Sequence, residues 1–137
     1  MNRIVLILAA AGTALLLAAP ASSGTTAKLT IRHQTRGCHS WAFNGGAYKP
    51  SQSITVTKGS TLTIVNNDVM PHKLLRVSGP SFSLPKTANL NHAGATTSLK
   101  FATAGVYKFA TKAGEDYMKG VKTIGEDNVL RLTVTVR

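Results

Sequence analysis

The chain is poor in cysteine and in acidic residues. It has one cysteine, Cys38, and five aspartates and glutamates among 137 residues, against 16 lysines and arginines. A single cysteine cannot form an internal disulfide, so Cys38 is a free or buried thiol, a thiol joined to another chain, or a metal ligand. The basic residues are dispersed and no basic-aromatic motif of a nucleic-acid reader occurs, which argues against nucleic acid as a partner.

The one long apolar run lies at the N-terminus. Met1–Arg3 is followed by the apolar stretch 4–19 and then by the small residues around Ala21, a pattern typical of a secretory signal peptide. The run is shorter than the roughly 20 residues of a spanning helix, which disfavours a permanent anchor. We therefore predict a signal peptide over 1–21, one domain over 22–137 without a membrane span, and a location that is secreted, periplasmic or in the cell envelope.

The predicted domain lacks any segment that keeps a helical period over three turns, and short alternating stretches dominate it. Residues 79–94 are predicted to form a long connection. The predicted strands are Lys28–His33, Ser53–Thr57, Thr61–Val65, Lys73–Val77, Thr97–Phe101, Gly105–Thr111 and Val129–Val136. Short strands separated by turn signals at intervals of about ten residues predict an all-β fold, an antiparallel Greek-key sandwich or barrel.

Two blocks of this pattern carry a family resemblance. In Tyr48–His72, a strand that ends near Asn66 leads into a short loop that ends at His72. The second block is Leu99–Phe109, followed by Met118-Lys-Gly-Val. These blocks resemble the cupredoxin family, the secreted copper proteins related to plastocyanin, amicyanin and azurin. The resemblance implies a cupredoxin-like β-sandwich, copper as the cofactor, His72 as the first copper ligand and Met118 as the axial ligand.

One part of the family pattern is missing. In the family, the residue two beyond the position of Phe109 is the copper-bound cysteine, and a second ligand histidine follows a few residues later. Here Thr111 stands at the cysteine position, and residues 112–117 contain no histidine. By the resemblance, the loop after the first strand lies at the copper end of the sandwich. This loop contains Cys38 and His39, so we predict that the missing ligands are relocated there.

The hypothesis thus requires a thiolate, two imidazoles and a thioether, the donor set of an electron-transfer copper site. The predicted ligands are Cys38, His39, His72 and Met118. His33 is the alternative second imidazole, because neighbouring residues on a strand face opposite ways and Cys38 and His39 can reach one metal only at a turn. Glu115 or Asp116 could replace the thioether with an oxygen donor.

These residues predict an exported mononuclear copper-binding protein that transfers single electrons or carries copper. The net charge of +11 favours a redox or copper-exchange protein partner with an acidic surface. An enzyme is not predicted, although a catalytic copper with an open position is compatible with the sequence. The competing hypothesis is a metal-free β-sandwich binding module in which Cys38 is packed or linked to a partner.

Overall fold

The computed structural model describes residues 26–34, 39–122 and 128–137. The predicted signal peptide and Cys38 lie outside these residues. The strands are Ala27–His33 (β1), His39–Phe43 (β2), Ser51–Val56 (β3), Thr61–Asn66 (β4), His72–Ser78 (β5), Asn89–Leu90 (β6), Thr96–Lys100 (β7), Gly105–Ala113 (β8) and Arg131–Val136 (β9). Short 3₁₀ turns cover Lys86–Ala88 and Gly114–Asp116. In the described part of the chain, no helix has the length and apolar character to cross a membrane.

The strands form two sheets. One has the order β2-β1-β4-β7 and the other the order β3-β9-β8-β5-β6. Neighbours are antiparallel except β1 with β4 and β3 with β9, which are parallel. Parallel neighbours require a crossover, and here the chain visits the other sheet between the two members of each pair. The predicted all-β Greek-key sandwich is confirmed, with mixed rather than wholly antiparallel pairing in each sheet.

Alternating side chains build the core between the two sheets. Along β4, Leu62 and Ile64 are fully buried while their neighbours are partly exposed. Tyr107 and Phe109 on β8 face the same interior. At the end where β4 begins, four aromatic rings pack with centroids 5.0 to 6.4 Å apart. These rings belong to Phe82, Phe101, Tyr107 and Phe109.

The seven predicted strands are all present, and β2 and β6 were not predicted. His39 was expected in a loop but begins β2, which is buried from His39 to Ala42. A strand buried on both faces does not alternate in polarity, so the periodicity used for the other strands gives no signal here. Trp41 lies in the core and Phe43 packs against it.

Strand register gathers three histidines at one end of the sandwich. In the β1–β2 hairpin, His33 pairs directly with His39. The parallel β1–β4 pair sets Ile31 opposite Asn66, so both strands end at the same edge. In the other sheet, His72 pairs with Ala113 at the end of β8. The loop between Asn66 and His72 therefore crosses from one sheet to the other beside His33 and His39.

We expect Phe101→Ala to destabilise the protein by about 3–5 kcal/mol, because it removes a buried ring from the aromatic cluster and leaves a cavity. Val106→Ala is the control, since Val106 is 48% exposed and surface substitutions change stability by about 0.5 kcal/mol or less. Urea unfolding of the metal-free protein measures both. Equal losses in the two variants would contradict the placement of the core.

Candidate metal centre

A buried carboxylate lies where the three histidines meet. Asp68 is 0% exposed. Its Oδ2 is 2.9 Å from Nδ1 of His39 and 3.1 Å from Nε2 of His72. Its Oδ1 accepts a hydrogen bond of 3.0 Å from the backbone N–H of Met70. His33 Nδ1 is 3.8 Å from Oδ1, which is longer than a hydrogen bond. One carboxylate therefore joins residues from both sheets.

The charge state of Asp68 determines which ring nitrogens carry protons. Burial by itself raises the pKa of Asp68, but hydrogen bonds from His39, His72 and the Met70 N–H outweigh it and hold the pKa below the ordinary carboxyl value. An ionised carboxylate only accepts hydrogen bonds. Nδ1 of His39 and Nε2 of His72 are therefore the N–H donors.

The side chain of Asn66, which is fully buried, shapes the loop that carries Asp68. Its Oδ1 accepts from the backbone N–H of Asp68 at 2.9 Å, and its Nδ2 donates to the carbonyls of Met70 and Leu90, both at 2.9 Å. Asn66 and Asp68 each bond the backbone N–H two residues ahead, which is the local bonding that makes Asn and Asp favourable in turns. These bonds direct Asp68 inward.

His39 is held through its backbone as well as its ring. It is 1% exposed, and its N–H donates to Oδ1 of Asn128 at 2.6 Å. Nδ2 of Asn128 donates back to the carbonyl of His39. Asn128 precedes β9 in the other sheet, so this reciprocal pair positions the start of β2 against the opposite layer.

His72 has one ring nitrogen that is ready for a ligand. The residue is 0% exposed and Nε2 donates to Asp68, while Nδ1 is buried and has no hydrogen-bond partner among the described residues. A buried polar atom without a partner is costly. Metal-binding histidines commonly donate their second ring N–H to a carboxylate. The His72 ring is perpendicular to that of His39, with the centroids 4.6 Å apart. The His72 site therefore fits a bound metal.

The loop predicted to carry the axial ligand packs beside the His72 loop. Met118 is half-buried and donates its backbone N–H to the carbonyl of Gly114 at 2.7 Å. Gly114 contacts Pro71 so closely that a Cβ there would lie 2.9 Å from the proline ring. Glu115 is half-buried in the adjoining 3₁₀ turn and Asp116 is exposed. The thioether and the carboxylates remain predicted ligands.

Residues 42–125 match the family of copper-binding proteins of the plastocyanin/azurin type. The chain belongs to this family. Copper is accordingly its cofactor. The match includes His72 and Met118 and begins after His33, Cys38 and His39, so it covers one part of the predicted ligand set and not the other.

Solved structures that resemble this chain include cupredoxins and multicopper oxidases. A purple cupredoxin from Nitrosopumilus maritimus is 18% identical, with a TM-score of 0.46 over 80% of this chain and 98% of that chain. Plastocyanin from Dryopteris crassirhizoma is 15% identical, with a TM-score of 0.41 over 80% and 99%. A multicopper oxidase from Campylobacter jejuni is 15% identical, with a TM-score of 0.43 over 80% and 25%. Among curated proteins, none matches this chain.

The structure of this cupredoxin brings some of the predicted ligands together and does not describe all of them. His39 and His72 lie in contact, and Met118 lies in a loop packed beside Pro71. Cys38 falls outside the described residues, so its role stays a prediction. Thr111 is a buried residue of β8 opposite Leu74.

Sequence reasoning missed Asp68 and Asn128. For Asp68 a signal existed, because it is the one acid outside the two Gly-Glu-Asp triplets and it lies four residues before His72.

We expect Asn66→Ala to cost about 2–4 kcal/mol of stability in the metal-free protein, because the Asp68 N–H and two carbonyls lose their buried partner. Asn67→Ala is the matched control, since Asn67 is exposed and its hydrogen bond to Ile31 uses backbone atoms only. Urea unfolding compares the two. A loss no larger than that of the control would show that the loop does not depend on Asn66.

Proposed function

We propose that this cupredoxin is an exported one-electron carrier that binds one copper ion at the histidine end of the sandwich. The observation that carries the proposal is the buried Nδ1 of His72, which lacks a hydrogen-bond partner among the described residues while Nε2 is held by Asp68. Copper is the family's cofactor, and an imidazole arranged in this way is suited to bind it.

The proposed ligands are Cys38, His39, His72 and Met118. His39 is preferred to His33 as the second imidazole because it is 1% exposed and touches the His72 ring, whereas the His33 side chain is 33% exposed. When bound, copper supplies a reversible change between Cu(II) and Cu(I). The protein residues hold the imidazole rings in place and exclude water from them.

Burial of the site supports electron transfer over copper carriage. His72 and His39 are enclosed, and each ring is hydrogen-bonded to the carboxylate of Asp68. The Met70 N–H donates to that carboxylate, and Asn66 holds the backbone N–H of Asp68. A site that rearranges little suits a change of one electron, whereas a carrier must open to release its metal. We propose a redox partner with an acidic surface, because the net charge is +11.

Export and the absence of catalysis also belong to the proposal. The apolar stretch that ends near Ala21 supports export. Enclosed ligands leave little room for a substrate beside the metal, which supports a carrier over an enzyme.

We expect the mature protein to bind close to one copper per chain, and His72→Ala to lose most of it because the substitution removes the proposed first ligand. His92→Ala is the control, since His92 is exposed and its ring bonds the neighbouring Ala93 carbonyl. Metal analysis after gel filtration measures both. Equal copper loss in the two variants, or no copper in the parent protein, would reject the site and favour a metal-free binding module.

If Cys38 is a thiolate ligand, the Cu(II) protein shows intense sulfur-to-copper charge-transfer absorption. Cys38→Ser should remove this absorption and preserve the fold, because the core lies between the sheets. Visible spectroscopy and circular dichroism measure the two effects.

Alkylation separates ligation of Cys38 from burial. The thiol should react in the unfolded and the folded metal-free protein but resist alkylation when copper is bound. A thiol equally inert in both folded forms, together with the absence of a strong visible band, would make Cys38 a core residue.

A further inference from the structure

Burial of Asp68 is energetically unfavourable for this chain. An ionised carboxylate that is 0% exposed costs several kcal/mol unless charges or hydrogen bonds compensate it. Three groups donate hydrogen bonds to the Asp68 carboxylate: the rings of His39 and His72 and the backbone N–H of Met70. Costly buried ionisable groups concentrate at functional sites, and Asp68 touches two of the proposed copper ligands.

The carboxylate determines which nitrogen each ring turns toward a metal. Nε2 of His72 donates to Asp68, so in the neutral ring Nδ1 is the nitrogen left to bind a metal. Nδ1 of His39 donates to the same oxygen, so the buried Nε2 is the nitrogen directed away from Asp68. Without an acceptor at this position, the His72 ring loses the hydrogen bond that fixes its tautomer, and the His39 ring loses one of the contacts that orient it.

The rigidity of Asp68 makes this control effective. Its backbone N–H is bound by Asn66, and Oδ1 is bound by the N–H of Met70. Both rings bond the same oxygen, Oδ2, so the position of this one atom orients both histidines. A metal bound at Nδ1 of His72 would be separated from the Asp68 carboxylate by the imidazole ring. The carboxylate is closed to water, and electrostatic interactions of buried charges are screened much less than those at the surface.

We propose that Asp68 is the positioning residue of the copper site, which fixes the tautomers of His72 and His39 and whose buried charge stabilises Cu(II) relative to Cu(I). The charge acts through the rings, which become more basic ligands, and through space on the metal. Cu(II) carries one positive charge more than Cu(I), so the anion favours it and lowers the reduction potential. This inference rests on the proposed copper function, but the tautomer part can be measured without copper.

The first test is ¹⁵N NMR of the imidazole rings in the metal-free protein at about pH 8, where ordinary imidazoles are neutral. We expect His72 to carry its proton on Nε2 and His39 on Nδ1. In Asp68→Ala, which lacks this acceptor, the His72 proton should be distributed over both ring nitrogens, and the preference of His39 for Nδ1 should weaken. Unchanged tautomers in a folded Asp68→Ala protein, or His72 protonated on Nδ1 in the parent, would overturn the positioning role whether or not copper binds.

The second test compares copper affinity and reduction potential in Asp68→Asn and Asp68→Ala. The asparagine keeps an oxygen acceptor without the charge, so copper should remain bound and the reduction potential should become more positive. The alanine should lower copper affinity about 10–100-fold, the usual effect of losing such a partner. Asn67→Asp is the control. It adds an acid at the exposed neighbouring position, where solvent screens it, and should shift the potential far less.

The outcomes separate this inference from the proposed function. A parent protein that binds no copper overturns both. A parent that binds copper, with an Asp68→Asn variant of unchanged potential, overturns the electrostatic role of Asp68 and leaves the copper function intact. Complete copper loss in a folded Asp68→Asn variant would make Asp68 a ligand and also overturn the positioning role. If Asp68→Ala does not fold, the asparagine variant and the parent tautomers decide the question.

Discussion

The Asp68 carboxylate is removed from water, and the surrounding structure depends on how its charge is compensated. Hydrogen-bond donors must reach it from several directions, and they come from the loop at Met70, from the start of β5 at His72 and from the start of β2 at His39. The side chain of Asn66 accepts a hydrogen bond from the backbone N–H of Asp68, and Asn128 holds the backbone of His39. Losing any one of the three donors to the carboxylate leaves part of a buried charge uncompensated.

The strands and site residues that could be predicted from the sequence are those that leave a signal in the residues next to them. β4 and β8 were predictable because their inward and outward residues alternate in polarity. β2 was not, because four of its five residues are buried. The site divides in the same way. His72 was predictable from the motif in which it stands, whereas the role of Asp68 depends on strand pairings that bring His39 beside it from 29 residues away.

The departure from the family pattern has a simple structural counterpart. Where the family has a cysteine, Thr111 is a buried strand residue paired with Leu74, and the turn that follows packs Gly114 against Pro71. That turn is closely packed where the backbone passes Pro71. On the opposite sheet, the β1–β2 hairpin brings His33 and His39 to the same end of the sandwich.

His39 begins a strand of one sheet and His72 begins a strand of the other. On the proposed ligand set, a metal held by both side chains is a cross-link between the two layers at the end opposite the aromatic cluster. A ligand that binds the folded chain and not the unfolded one stabilises it in proportion to the logarithm of its free concentration. On the proposed ligand set, the thermal stability of this domain therefore depends on the copper supply around it. Until the metal arrives, the polar contacts that resist separation of the sheets at that end include the shared carboxylate of Asp68, the hydrogen bond from Asn66 to the Leu90 carbonyl and the reciprocal pair of His39 with Asn128.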